Sequence, residues 1–82
     1  MTNAHSILKE VESIFQEVFE DSTLKLTENT TAHDIAEWDS VQHLLLLHAL
    51  EQHFFIKFAL EEMISFQNVR DICASIKQKL DK

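Results

Sequence analysis

The chain has 82 residues and a formal net charge of −7, with 45% hydrophobic and 26% charged residues. This length suits one small domain, and the composition is ordinary for a folded protein rather than a disordered one. Because fourteen acidic residues outnumber seven basic ones, nucleic acid is an unfavourable ligand, whereas basic surfaces of partner proteins are favourable. The single cysteine excludes an internal disulfide. We expect one monomeric domain over residues 1–82.

The N-terminal residues show no basic segment followed by an apolar one, as a secretory signal would require. The longest purely aliphatic run, Leu44 to Leu47, is far too short to span a bilayer. We therefore expect a cytoplasmic protein without membrane insertion. The chain also lacks glycine and proline, a composition that favours helices joined by a few loops over a β fold with many turns.

The first predicted helix covers roughly residues 4–19, where apolar residues recur three or four positions apart. From Asp21 to about Glu37 the pattern breaks into a long polar loop, which Ile35 and Trp38 are expected to attach to the core. A second helix follows, from Asp39 or Ser40 to about Phe54.

The apolar stripe of this second helix is predicted to consist of Leu44, Leu47, Leu50 and Phe54. The run Leu44 to Leu47 covers about 300° of a helix at about 100° per residue, so these leucines cannot all face one core. We expect Leu45 to be exposed.

Two further helices complete the prediction. Leu60 to Ile64 favours a short third helix, and Asn68 is placed to cap a last helix that carries Asp71 in its first turn. The sequence thus predicts an all-α fold of four helices, three long and one short, with the longest loop between the first two.

The strongest functional signal is Glu37-Trp38-Asp39-Ser40-Val41, where the long loop meets the second helix. Ser40 lies at a helix N-terminus, where unpaired N–H groups and the helix dipole favour an anion such as a phosphodiester. An isolated Asp-Ser pair before a helix is, however, usually only a cap, made by Asp39 or Ser40.

The wider pattern resembles the acyl carrier protein family, including the carrier domains of polyketide and nonribosomal peptide assembly. The resemblance covers nearly the whole chain and is most specific from Trp38 to Val41 and in the stretch that follows, which carries Leu44, Leu47, Ala49-Leu50-Glu51, Phe54 and Ile56. It implies a four-helix bundle of the acyl carrier type and a chain that is not an enzyme.

The resemblance further implies 4'-phosphopantetheine, donated by coenzyme A, as a cofactor attached covalently to Ser40. The thiol of that arm would hold acyl, aminoacyl or polyketide groups as thioesters. The implied partners are a phosphopantetheinyl transferase and acyl-transferring, condensing or adenylating enzymes. The residues predicted to act in attachment and partner recognition are Trp38, Asp39, Val41, Leu45, His48 and Glu51. The candidates for lining an acyl pocket are Leu44, Leu47, Leu50 and Met63, although core packing explains them equally well.

Three departures from the family pattern concern the same region. Val41 replaces the commoner leucine, which keeps an apolar contact. Phe55 stands where the family usually has glycine, so either the turn differs or Phe55 gains more by burial than it loses in strain. Glu51 is the only acidic residue from Ser40 to Phe54. We therefore expect partners to dock more through apolar contact than through charge, as suits a specialised carrier rather than a fatty acid carrier of primary metabolism.

Other candidate sites are weaker. His43, His48 and His53 are each rotated by about 140° from the last, so they cannot bind one metal and are predicted to be surface residues. The pair Glu61-Glu62 is predicted to be solvated, and Cys73 to be a core residue. The alternative to a carrier is a small helical interaction module without a prosthetic group.

Overall fold

The computed structural model describes residues 4–35 and 38–80, with side chains from residue 6 onward. Four helices follow in chain order: α1 (Ala4–Val18), α2 (Ser40–Phe54), α3 (Leu60–Ser65) and α4 (Val69–Leu80). Within these two ranges there is no β-strand, and one isolated bridge pairs Thr31 with Asn68. The predicted all-α fold with a short third helix is confirmed.

The core lies where α1 packs against α2 and α4. Each of these helices has apolar residues three or four positions apart, so each presents one face to the others. The largest fully buried side chains come from all three helices: Ile7, Val11, Phe15, Leu46, Leu47, Leu50, Val69, Ile72 and Ile76. No helix in the described part of the chain is long and apolar enough to cross a bilayer.

The buried face of α2 differs from the predicted one. Leu46 and Leu47 are fully buried, whereas Leu44, predicted to lie in the core, is 58% exposed. Leu45 is 54% exposed, as predicted. Because all four residues from Leu44 to Leu47 are leucines, the sequence alone does not show which two of them face the core. The packing of α2 on α1 decides it.

The loop between α1 and α2 is held in place by bonds to α1 and α4. The carboxylate of Glu12 on α1 accepts the N–H of Leu26 at 2.8 Å. The N–H of Val69, at the start of α4, donates to the carbonyl of Thr30 at 2.9 Å. Ile35 is buried near the end of the loop. These contacts hold the described part of the loop, up to Ile35, against the helices.

Two helices end in a residue with left-handed backbone geometry, although the chain has no glycine. Glu20 has φ 53° and Phe55 has φ 58°. After Phe55, the N–H of Ile56 donates to the carbonyl of Glu51 at 3.1 Å, the bond that ends a helix in a Schellman motif. The turn thus keeps the geometry that favours glycine, and Phe55 is 93% exposed. Both explanations offered by the sequence, a different turn or burial of Phe55, are wrong.

Candidate functional site

Ser40 is the first residue of α2 and is exposed. The residue before it, Asp39, is extended (φ −109°, ψ −171°), and its carboxylate accepts the N–H of Gln42 at 2.9 Å. Asp39 therefore provides the helix cap, and capping does not account for Ser40. Apart from the Asp39 carboxylate at the cap, the start of α2 has no acidic residue. The helix dipole and the N–H groups of the first turn therefore favour an anion at the hydroxyl of Ser40.

The backbone on the N-terminal side of Ser40 is fixed by Trp38. Its indole is only 9% exposed and packs edge-on against Phe15 of α1, with ring centroids 5.2 Å apart. The N–H of Trp38 donates to the carbonyl of Ile35 at 3.1 Å. The two expected core attachments of the loop, Ile35 and Trp38, are confirmed, while Glu37 of the predicted motif lies outside the described residues.

His43 contradicts the prediction that all three histidines of α2 are surface residues. Its ring is half-buried, accepts the indole N–H of Trp38 at 3.0 Å and bonds to the carbonyl of Met63 at 2.9 Å. His48 and His53 are exposed, as predicted. In residues 4–35 and 38–80, no three or more His, Cys, Asp or Glu side chains are grouped to bind a metal ion.

A cavity of about 570 Å³ opens beside Ser40, between α2 and α3. From α2 it is lined by Ser40, His43 and Leu44, and from α3 by Leu60, Met63 and Ile64. Two of the predicted pocket residues, Leu44 and Met63, thus lie in its wall. Leu47 and Leu50 are fully buried in the core and do not line it.

The surface around Ser40 is apolar. Exposed aliphatic side chains come from both helices that border the cavity, and we call them the apolar surface: Val41, Leu44, Leu45, Leu60 and Ile64. Glu51, the one acid of α2, is only 13% exposed, and its carboxylate accepts the N–H of Phe58 at 2.8 Å. No carboxylate of α2 is therefore freely presented on this surface.

The residues predicted for partner recognition fall into two groups. Asp39, Val41, Leu45 and His48 are exposed and available for contact. Trp38 and Glu51 are mostly enclosed, because one packs on α1 and the other bonds to the backbone after α2.

The prediction that Glu62 is a solvated residue is wrong. Its carboxylate accepts bonds from Lys79 at 2.8 Å, from the N–H of Ala59 at 2.8 Å and from Ser75 at 2.7 Å. These bonds, that from Lys79 above all, lower the pKa of Glu62 to about 2. Cys73 is buried as predicted, and burial raises the pKa of its thiol to about 11.

Sequence reasoning missed the bonds made by His43 and Glu62, and it singled out Phe55 without predicting that this side chain is exposed. Their partners lie on other elements, or their conformation depends on how a turn closes. For Phe55 a signal did exist, since it occupies a position that favours glycine. For the two others, no local pattern marks the partner.

Comparison with known proteins agrees with this geometry. Residues 9–76 match the family model described as a phosphopantetheine attachment site. The fold is similar to the solution structure of the holo acyl carrier protein from Geobacter metallireducens, with a TM-score of 0.86 and 41% sequence identity over 92% of this chain and 86% of that one. No curated protein matches the chain. With a family model covering most of its length and an acyl carrier protein of the same fold, the chain belongs to the acyl carrier proteins, which carry acyl groups on 4'-phosphopantetheine and are not catalysts.

Proposed function

We propose that Ser40 is the residue that carries the 4'-phosphopantetheine arm, and that residues 1–82 act as one monomeric carrier domain. The observation that supports this most is that Asp39 caps α2, while Ser40 next to it is exposed and is not needed as the cap. The site suits the group chemically. Its phosphodiester would lie at the N-terminus of a 15-residue helix that has no acid in its first turn.

Attachment requires a separate transferase. The oxygen of Ser40 forms a bond to the phosphorus of the pantetheine phosphate, the bond to the adenosine bisphosphate part of coenzyme A breaks, and the hydroxyl proton passes to a base of the transferase. When bound, the arm supplies a thiol that holds the cargo as a thioester. This chain contributes the exposed hydroxyl, the helix N-terminus and the cavity next to them.

Intact-mass spectrometry after co-expression with a phosphopantetheinyl transferase tests this assignment. The wild type should gain the mass of one arm, Ser40→Ala should gain nothing, and the control Ser13→Ala, at an exposed serine of α1, should gain it fully. An unmodified wild type would refute the proposal. A modified Ser40→Ala chain would show that another residue carries the arm.

The cavity beside Ser40 is the proposed site for the part of an acyl cargo nearest the arm. Leu44, Leu60, Met63 and Ile64 give it mainly apolar walls, which suit a hydrocarbon chain. Leu47 and Leu50 are not part of this proposal, since they are enclosed in the core. The cargo class this favours is an acyl group with an apolar segment next to its thioester.

Partner enzymes are proposed to dock on the apolar surface rather than through acidic residues of α2. Leu45→Ala removes three carbon groups, each worth ~0.8 kcal/mol when fully buried. Because Leu45 is 54% exposed in the free protein, only about half of this is gained on docking, and its loss of about 1.3 kcal/mol should raise the transferase KM roughly tenfold. Because exposed charge pairs would be screened and apolar contacts would not, the KM should change little with added salt.

A matched control for this docking test is Phe55→Ala. Phe55 is also an exposed apolar residue of this chain, but it lies at the far end of α2, about 22 Å along the axis from Ser40 at ~1.5 Å per residue. Its KM should equal that of the wild type. A KM that rises steeply with salt while Leu45→Ala changes nothing would refute apolar docking.

The same proposal covers the wider setting of the protein. Its partners would be acyl-transferring, condensing or adenylating enzymes of a specialised pathway, in the cytoplasm. The exposed face of α2 is nearly free of acidic residues. This supports the proposal that its partners differ from enzymes that bind a strongly acidic helix. The acyl group found on the purified protein would identify the pathway.

A further inference from the structure

The short helix α3 borders the attachment site but contributes no buried residue. Its position therefore depends on contacts at its sides. On one side, the carboxylate of Glu62 accepts bonds from Ser75 and Lys79 of α4. On the other side, the carbonyl of Met63 bonds to the ring of His43, which belongs to α2, at 2.9 Å. His43 thus makes the polar contact between the two helices that border the cavity.

The bonds of His43 fix the form of its ring. The indole N–H of Trp38 can only donate, so Nδ1 of His43 must accept the bond that joins them at 3.0 Å. A carbonyl can only accept, so Nε2 must carry the hydrogen and donate to Met63. The ring is therefore the neutral Nε2–H tautomer, with both nitrogens used by different parts of the chain.

Aromatic contacts confine the same ring. It lies nearly in the plane of the Trp38 indole, with centroids 5.8 Å apart and planes 27° apart, as suits two rings joined edge to edge by a hydrogen bond. It meets Phe66, just after α3, nearly edge-on at 6.5 Å. His43, Trp38, Met63 and Phe66 all line the cavity beside Ser40, so the ring is a fixed part of the cavity wall.

We propose that His43 is a positioning residue that holds α3 against α2 and thereby sets the shape of the cavity beside Ser40. This inference rests on the proposed function, because the cavity matters only if an acyl group attached at Ser40 enters it. Without the ring, the carbonyl of Met63 and the indole N–H of Trp38 both lose their partner. Met63 of α3 and Phe66 just after it then still pack, partly buried, against the core.

The test compares three variants of the holo-protein loaded with an octanoyl group. His43→Leu fills similar space without hydrogen bonds, and His43→Gln retains one acceptor and one donor. His53→Leu is the matched control, since His53 is on the same helix but bonds to Glu10 of α1 at 2.9 Å. Amide hydrogen exchange reports the opening of α3, and NMR contacts from the octanoyl chain to Met63 report occupation of the cavity.

In His43→Leu, amides of α3 should exchange about tenfold faster than in the wild type, while those of α1 and α4 keep their rates. Contacts from octanoyl to Met63 should weaken as well. His43→Gln should bring both the exchange rates of α3 and the octanoyl contacts most of the way back to their wild-type values. His53→Leu should leave the exchange rates of α3 unchanged. The ¹⁵N spectrum of the wild-type ring should show the Nε2–H tautomer.

Three results would overturn the inference. The first is that the amides of α3 exchange at the wild-type rate in His43→Leu. The second is that exchange in this variant becomes faster to the same degree in all helices. The third is that His43 of the wild type is the Nδ1–H tautomer. If His43→Leu fails to fold, the tautomer of His43 measured in the wild type still tests the inference. Failure of the proposed function is read separately, as the absence of the arm's mass on the wild-type chain.

Discussion

Replacement of Phe55 by glycine should stabilise the protein, because Phe55 combines left-handed backbone geometry with nearly complete exposure. Its φ of 58° and ψ of 48° put it in the region where a side chain with a Cβ costs roughly 1–2 kcal/mol. The ring is 93% exposed. With about 200 Å² for a phenylalanine side chain and ~25 cal/mol per Å², the hidden part contributes less than about 0.5 kcal/mol.

The comparison that isolates the backbone is Phe55→Gly against Phe55→Ala, since both variants remove the ring. Glycine avoids about 1.5 kcal/mol of strain, and its greater freedom in the unfolded chain offsets roughly 0.7 kcal/mol of this. The glycine variant should therefore exceed the alanine variant by about 0.8 kcal/mol in free energy of unfolding. For a chain of this size that is a rise in Tm of about 3–6 °C.

Urea unfolding followed by helical circular dichroism measures the difference, and the fluorescence of Trp38, which is buried in the core, checks that the transition is two-state. Glu20, with φ 53°, provides an independent repeat through Glu20→Gly against Glu20→Ala. Equal stability of the glycine and alanine variants at position 55 would refute the strain argument. A Phe55→Ala chain weaker than wild type by more than about 1 kcal/mol would show that the ring is packed.

Two further predictions follow from shifted pKa values. The hydrogen bonds from Lys79, Ala59 and Ser75 hold the pKa of Glu62 at about 2, below the ordinary 4.5. The carboxylate therefore stabilises the fold above pH 4.5, and this stabilisation is lost as the pH falls towards 2. The stability gap between wild type and Glu62→Gln, measured by urea unfolding, should shrink over that range; a constant gap would contradict it. Because burial raises the pKa of Cys73 to about 11, iodoacetamide should label Cys73 of the Ser40→Ala chain slowly at pH 8 and rapidly in urea. Fast labelling of the folded chain would contradict its burial.

Local sequence pattern was sufficient for the helices and for the start of α2. The apolar residues of α1, three or four positions apart, predicted this helix with one buried face, because only one of its stripes is apolar. Asn68 was predicted as the cap of α4, and its side chain accepts the N–H of Asp71 at 2.9 Å. Such features depend on residues a few positions apart, which the sequence displays directly.

The errors share a different cause. Leu44 was assigned to the core although four adjacent leucines leave the rotation of α2 undetermined. His43 and Glu62 were assigned to the surface although they bond to residues 20 and 17 positions away, Met63 and Lys79. A partner at such a distance leaves no trace in local periodicity, so these assignments required the packed structure.

The sequence by itself determined that this chain forms four helices and that the second begins at Asp39 or Ser40, because helical spacing, an Asp-Ser pair able to cap and the family pattern around Trp38 are local properties. Only the tertiary structure decided what surrounds that serine. The rotation of α2 placed Leu44 and Leu45 outside the core, and the bond from His43 to Met63 fixed α3 beside them. The physical reason is that burial and long-range hydrogen bonds depend on how the helices meet, and no single helix carries that information.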